Sequence, residues 1–402
     1  MQSTKQSSKV ALVKCDSYDQ NKVDAAVRKA VELLGGLEVI GLKKESRLIL
    51  KPNLLAKNPP EKACTTHPAV FKAVGKLLKE EGYTNLKYGD SPGNPMVKPE
   101  KIAEECKIKE AADALNIPFG NFEEGIQVDF PEGRVADKFI LCKEVTEADG
   151  IINVCKMKTH QLERITGAVK NTFGCVFGIN KASSHAQFST AETFAKMIAD
   201  LNNVVVPKLH IMDGIVAMEG NGPQNGTPKS MNMIIASTDP VAVDGLFCHL
   251  VDLKPELVPT NAAAMEQGVG TYENIEVITE DGVCTLEEAA TKFGDKEFNV
   301  QRGKEYKGQL QAVKFLVPFL TKKPIVKENK CIGCGICVNS CPVEGKAIHI
   351  RRKEDEGKGR GTAYYDYDKC IKCYCCQEMC PEDAITVKKS LLARFADRKW
   401  RI

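Results

Sequence analysis

Short apolar runs alternate with amphipathic stretches over the first three hundred residues of this 402-residue chain. Residues 9–14 (KVALVK) and 47–51 (RLILK) are aliphatic runs bounded by polar positions, the pattern of strands. The same reading predicts strands at 86–88, 138–142, 150–155, 208–212, 231–236 and 274–278. Residues 21–34 carry apolar positions at helical spacing. His67-Pro68 opens a second helix that runs to about residue 81, with the proline in its first turn. Further helices are predicted at 99–115, 191–205, 241–251 and 285–293. Strands alternating with helices predict an α/β fold, a parallel or mixed sheet with helices on both faces. The periodicity fades over 301–323, and Lys322-Lys323-Pro324 marks a boundary. The expected division is an α/β domain at 1–300, a linker at 301–324, a compact cysteine-rich module at 325–389 and a basic tail at 390–402.

Composition narrows the class. With 43% hydrophobic and 27% charged residues the chain is globular rather than disordered. Its 56 Lys+Arg against 53 Asp+Glu speak against a nucleic-acid-coating protein, which would be strongly basic. No apolar run approaches the ~18–20 residues that span a bilayer. The polar first nine residues lack the apolar core of a secretory signal, so a cytoplasmic location is expected. Of the 17 cysteines, nine lie between Cys331 and Cys380 and eight are scattered from Cys15 to Cys284. That distribution fits reduced thiols plus one dense metal-binding module, not a secreted disulfide scaffold.

The module holds two runs of one pattern, Cys331-x₂-Cys334-x₂-Cys337-x₃-Cys341-Pro342 and Cys370-x₂-Cys373-x₂-Cys376-x₃-Cys380-Pro381. This spacing wraps three thiolates around one corner of an iron–sulfur cubane and sends the fourth to the other cluster. One [4Fe-4S] cluster is therefore expected on Cys331, Cys334, Cys337 and Cys380, and the second on Cys370, Cys373, Cys376 and Cys341. Zinc ribbons use two separated C-x₂-C pairs instead, so two zinc sites are the weaker reading. The module resembles the bacterial two-cluster ferredoxins at every ligand position, which implies a small α+β ferredoxin-like domain. It departs from them in a 28-residue spacer, 342–369, with a charged insert at 351–360. Tyr374 also stands where the first run has Gly335, and Cys375 is a ninth cysteine. Cys375 is either an inert buried thiol or a neighbour that modifies the second cluster. Residues 327–387 carry ten basic and ten acidic side chains, which suits a module bound to its own upstream domain. The tail, 388–402, has six Lys/Arg against Asp397 and an amphipathic look. It is either a helix packing back on the fold or a contact for an acidic redox partner.

In the upstream region, polar turn-rich motifs follow predicted strands, where the ligand crevice of an open α/β sheet forms. From Cys155 to Lys170 the chain places Lys156, Lys158, His160, Arg164 and Lys170 against the single acid Glu163. Such a run suits a phosphate, a carboxylate or an anionic cofactor, the alternative being a solvated basic loop. His160 and Lys158 are the candidate catalytic residues. His160 is a general acid or a capping residue, since its unperturbed pKa lies near 6.5. Lys156, Lys170, Asn171 and Ser91 are the candidate cofactor-binding residues. Ser91 lies in Gly89-Asp90-Ser91-Pro92-Gly93, a turn able to nest an anion. His67 is expected at a helix entry, and Cys155 and Cys175 as core packing rather than nucleophiles. Asp213, Glu219, Asp239 and Asp244 either form a hard-cation site or cap loops. No P-loop and no G-x-G-x-x-G follows a strand, which lowers the case for an ATPase or a dinucleotide dehydrogenase.

The succession KPNL, TTHP, GDSPG, KMKTH, TGAVKNTFGC, DGIVAMEGNGP and DPVAVD, followed by the doubled cysteine motif, resembles the family named domain of unknown function 362 in its ferredoxin-fused form. The resemblance covers about residues 9–387. It implies an iron–sulfur-linked protein of a kind widespread in anaerobes, with no agreed reaction, and a remote likeness to lactate-racemase-type architecture. The leading expectation is an iron–sulfur oxidoreductase. It would pass single electrons between the two clusters and an anionic substrate, or a bound flavin, in a basic crevice of the α/β domain. The implied partners are a redox protein or low-potential donor and a small anion, with no nucleic acid and no membrane span. The alternatives are an electron-carrier subunit whose α/β domain only docks, and an assembly factor using Cys155, Cys175 or Cys375 as transient ligands.

Overall fold

The computed structural model describes residues 7–93, 97–178, 180–303, 322–351 and 361–388. The chain forms two compact units, Met1–Lys181 with Ala191–Val300, and Ala182–Thr190 with Gln301–Ile402.

The larger unit is built on a nine-stranded mixed sheet. Its strands are β1 (Ser8–Lys14), β2 (Leu48–Lys51), β3 (Leu86–Tyr88), β6 (Gly150–His160), β7 (Arg164–Thr166), β8 (Leu209–Glu219), β9 (Thr227–Ser237), β10 (Ile275–Thr279) and β11 (Gly282–Cys284). A separate hairpin pairs β4 (Gly125–Asp129) with β5 (Lys138–Cys142). The order across the sheet is β11-β10-β1-β9-β8-β6-β2-β3, with β7 added to the end of β6. The β3-β2-β6-β8 half is parallel, and β9 runs antiparallel to both β8 and β1.

Strands β2 and β6 are buried on both faces, the texture of a covered parallel sheet. On one face Leu50, Ile152, Val154 and Ile211 pack with the helices Gln20–Leu33 and Pro68–Glu80. On the other, Leu12, Cys155, Met157 and Met212 pack with Leu246 and Phe247 of the helix Pro240–Leu250. The expected α/β class with helices on both faces is the observed one.

Two boundaries differ from expectation in a way that matters for the site. Strand β6, expected to end at residue 155, runs to His160, and β8, expected to end at 212, runs to Glu219. Lysine and histidine have no strand preference of their own. Here ladders to β7 and β8 carry the extra residues, so pairing overrides propensity. The expected helix over 99–115 is two helices, Pro99–Glu105 and Ile108–Asp113, broken at Lys107, whose φ of 61° is left-handed.

In the C-terminal unit β12 (Lys323–Val326) pairs with β15 (Ile385–Lys388), and β13 (Ile348–Arg351) with β14 (Thr362–Tyr365). Ala347, Ile348, Ala363, Ala384 and Ile385 form its core. Each cysteine run continues into one helical turn, Ile336–Asn339 or Cys375–Glu378. The residue before each turn is left-handed, Gly335 at φ 80° and Tyr374 at φ 63°. Residues 304–321, most of the charged insert and the basic tail lie outside the described residues.

Candidate functional site

The period-two alternation of β6 places Lys156 and Lys158 on the same face as Ile152 and Val154. Asp213, on β8, is the register partner of Lys156. Lys156 Nζ lies 2.7 Å from Asp213 Oδ2 and donates to the Tyr18 hydroxyl at 3.0 Å. The Tyr18 hydroxyl in turn donates to Asp213 Oδ1 at 3.0 Å. The His67 ring stacks on Tyr18, with centroids 3.4 Å apart and planes 9° apart, and the His67 amide donates to Asp213 Oδ2 at 3.0 Å. Burial and the Asp213 carboxylate push the Tyr18 phenol well above its ordinary range, while burial pulls His67 down to about 4.

Lys158 begins a directed hydrogen-bond chain. Its Nζ donates to Asn53 Oδ1 at 2.7 Å and to the Cys64 carbonyl at 2.6 Å. Asn53 Nδ2 donates to Asn171 Oδ1 at 2.9 Å, and Asn171 Nδ2 to Asn153 Oδ1 at 2.7 Å. Asn153 Nδ2 lies 2.9 Å from His210 Nδ1. Since the amide nitrogen donates, His210 accepts at Nδ1 and carries its proton on Nε2. Three amide dipoles are thus aligned away from a buried ammonium.

A third group lies where β2 ends. Lys51 Nζ pairs with Asp90 Oδ1 at 2.9 Å, both side chains buried, while Asp90 Oδ2 accepts from the Leu54 amide at 2.7 Å. Lys181 donates to the Ser91 carbonyl, and Ser91 Oγ accepts from the Gly178 amide at 3.0 Å. Burial pulls the Lys181 ammonium down to about 8 and pushes the nearby Cys142 thiol up to about 11.

The expected site residues divide accordingly. Lys156, Lys158 and Asn171 enter these buried networks, and Ser91 enters the Lys181 group. The solvated-loop alternative for the run is excluded, because Lys156, Lys158, His160 and Arg164 are all buried in strands. Lys170 stands apart, its Nζ over the Phe173 and Phe194 rings at 5.2 and 5.4 Å. His160 Nδ1 accepts from the Leu162 and Glu163 amides at 3.1 and 3.2 Å, so it caps the turn between β6 and β7.

The four acids do not converge as a hard-cation site. Asp213 pairs with Lys156, and Asp239 caps the helix Pro240–Leu250. Asp244 accepts from the Ala168 and Val169 amides, and Glu219 from the Asn299 amide. Burial raises Asp244 to about 7. Cys155 and Cys175 are fully buried, and burial pushes both thiols up. Sequence reasoning missed Tyr18, Lys181 and His210. Tyr18 and His210 lie far along the chain from the basic run, and Lys181 falls just past its end in a stretch with no motif of its own.

In the C-terminal unit the cysteines ring two cavities. One, of about 340 Å³ including its mouth, is lined by Cys331, Cys334, Cys337 and Cys380. The other, of about 300 Å³, is lined by Cys341, Cys370, Cys373 and Cys376. Backbone amides point at the sulfurs: Ala363 at Cys331 (3.4 Å), Ala384 at Cys380 (3.3 Å) and Ala347 at Cys341 (3.4 Å). Among the described residues no three His, Cys, Asp or Glu side chains converge as they would around one ion. Four soft thiols, N–H donors to sulfur and otherwise largely apolar walls fit a [4Fe-4S] cluster in each cavity.

Residues 48–249 match the family described as domain of unknown function (DUF362). The chain belongs to this family. Residues 330–384 match the 4Fe-4S dicluster domain, so this DUF362 protein carries a ferredoxin-type, iron–sulfur electron-transfer unit. It is 36% identical over 267 residues to a thylakoid-associated protein of Synechocystis, covering 65% of this chain and 79% of that one. It is 38% identical over 63 residues to a ferredoxin of Methanothermococcus thermolithotrophicus, covering 15% of this chain and 90% of that one. A solved lactate racemase apoprotein from Thermoanaerobacterium thermosaccharolyticum superposes at a TM-score of 0.38 with 13% identity, over 58% of this chain and 55% of that one. That likeness is too loose to inform function. Among the described residues no helix is long and apolar enough to cross a membrane.

Proposed function

We propose that this DUF362 protein is an iron–sulfur oxidoreductase in which the ferredoxin unit exchanges single electrons with a small anion bound by the α/β unit. The division of eight cysteines between two cavities, three from one motif and one from the other in each, carries the reading. Cys331, Cys334, Cys337 and Cys380 hold one [4Fe-4S] cluster, and Cys370, Cys373, Cys376 and Cys341 the other. Each cluster, when bound, accepts or returns one electron. The chain supplies the thiolates and the amide N–H groups that bear on their charge. An external redox protein or low-potential donor completes the circuit. This reading sets the protein in a reducing, cytosolic compartment, where thiols are kept available as cluster ligands.

The anion half rests on Lys51, Lys156 and Lys158 near the carboxyl ends of β2 and β6, where open α/β sheets bind ligands. Burying ammonium groups is costly, and such groups concentrate at functional sites. Lys158 is oriented by the Asn53–Asn171–Asn153 chain, and Ser91 and Lys181 extend the polar surroundings of Lys51. With two amides donating to Nδ1, His160 is held neutral with its proton on Nε2, so its role in this reading is that of a hydrogen-bond donor rather than an imidazolium acid. The ligand class is a carboxylate, a phosphate or the phosphate of a flavin. Fusion favours this arrangement, since a short tether raises effective concentration to about millimolar.

A second reading, an electron-carrier subunit whose α/β unit is a docking scaffold, is favoured by one observation. Lys51, Lys156 and Lys158 are all engaged by partners within the fold. Anaerobic purification with iron and sulfide counts and mass spectrometry of released small molecules tests the first reading. Lys158→Met should abolish ligand retention and turnover with the iron content intact. Unchanged electron delivery to a partner protein would favour the carrier.

A further inference from the structure

The two cysteine-ringed cavities are not equivalent. Backbone amides serve sulfurs in both, and the second cavity adds a side-chain hydroxyl. The Tyr365 oxygen lies 3.0 Å from Cys376 Sγ. In a thiol either atom could donate, but a cysteine that ligates iron is a thiolate with no proton to give. The hydroxyl is then the donor. We propose that Tyr365 is a positioning residue that donates a hydrogen bond to the Cys376 thiolate and raises the reduction potential of the cluster in that cavity. This rests on the reading that the cavities hold [4Fe-4S] clusters.

The surrounding structure holds the hydroxyl in place. Tyr365 closes β14 opposite Ile348 of β13. Its ring stacks on Tyr367, centroids 5.4 Å apart and planes 20° apart. The Tyr367 hydroxyl donates to the Pro324 carbonyl at 2.9 Å, and Lys323 Nζ sits 4.5 Å over the Tyr367 ring. The ring thus has few places to turn. A donor to a ligand sulfur draws electron density from the cluster and stabilises the added electron of the reduced state, which raises the potential. Burial acts in the opposite sense, because a low-dielectric surrounding penalises added negative charge. Three of the four cysteines here, Cys341, Cys373 and Cys376, are 8% exposed, against two in the first cavity, Cys337 and Cys380, where Cys334 is exposed. The hydroxyl therefore offsets a burial penalty where that penalty is larger.

The test is a redox titration of the full chain, followed by electron paramagnetic resonance, on the wild type, Tyr365→Phe and Tyr367→Phe. In Tyr365→Phe one midpoint should fall while the other stays. A tenfold change in the reduced-to-oxidised ratio at fixed potential corresponds to about 59 mV for one electron. Tyr367→Phe keeps the stacked ring and should move neither midpoint. If Tyr365→Phe does not assemble, 3-fluorotyrosine placed at position 365 strengthens the donor and should move the same midpoint upward. Two unchanged midpoints at full iron and sulfide content would overturn the role of Tyr365 and leave the cluster reading standing. A wild type purified anaerobically without iron and sulfide would overturn the cluster reading itself, and the role of Tyr365 with it.

Discussion

Lys156 and Asp213 are register partners on the adjacent parallel strands β6 and β8, and their side chains close a 2.7 Å ion pair almost wholly shielded from water. Breaking such a pair from one side strands a buried charge. Asp213→Asn should therefore lower unfolding free energy by about 3–5 kcal/mol. The double variant Lys156→Met/Asp213→Asn should lose less than Asp213→Asn alone. Circular dichroism with denaturant checks the ranking, and a double variant no better than the single one would refute it.

His210 predicts a pH dependence. Burial pushes its pKa down to about 3, against about 6.5 for the unfolded chain. The folded state holds the ring neutral, so its contribution is fully present above 6.5 and is lost as pH falls toward 3. Within that window the loss approaches about 1.4 kcal/mol per pH unit. Wild type minus His210→Gln, compared at pH 7 and pH 5.5, should show the difference shrinking on acidification.

Gly174 marks how tightly the Lys51–Asp90 pair is enclosed. A Cβ added there would lie 1.7 Å from Asp90 Oδ1 and 2.6 Å from Lys51 Nζ. Gly174→Ala should displace the pair and cost about 1–3 kcal/mol, the range for an overpacked interior. A melting temperature within a degree of wild type would contradict this.

The proposed crossing of the fourth ligand can be tested by mutation. Cys380→Ser should disturb the cluster of the first motif, and Cys341→Ser that of the second, each lowering iron content by up to roughly half. Cys375→Ala should leave iron content unchanged, since Cys375 occupies the position of Ile336 in the repeat. Iron analysis with electron paramagnetic resonance distinguishes the three.

Residues 9–14, 86–88 and 138–142 were legible as strands because their burial is carried by local apolar runs. The doubled cysteine motif was legible because its spacing is short, and that spacing also separates Cys375 from the other eight cysteines of the module. The basic run from Cys155 to Lys170 was visible as chemistry but not as structure. Nothing local distinguishes Lys156 in a solvated loop from Lys156 in a buried strand. That choice was made by β8, which brings Asp213 into register 57 residues later. The same holds for Tyr18 stacked on His67, for His210 at the end of the asparagine chain, and for Tyr365 beside Cys376. By itself, then, the sequence determined the α/β class, the two-cluster motif and the lysine-rich run, all written in short-range pattern. The tertiary structure alone decided which lysine meets which carboxylate and which sulfur meets a hydroxyl. Those pairings join residues distant in the chain, and burial makes a charge or a donor there depend on its partner.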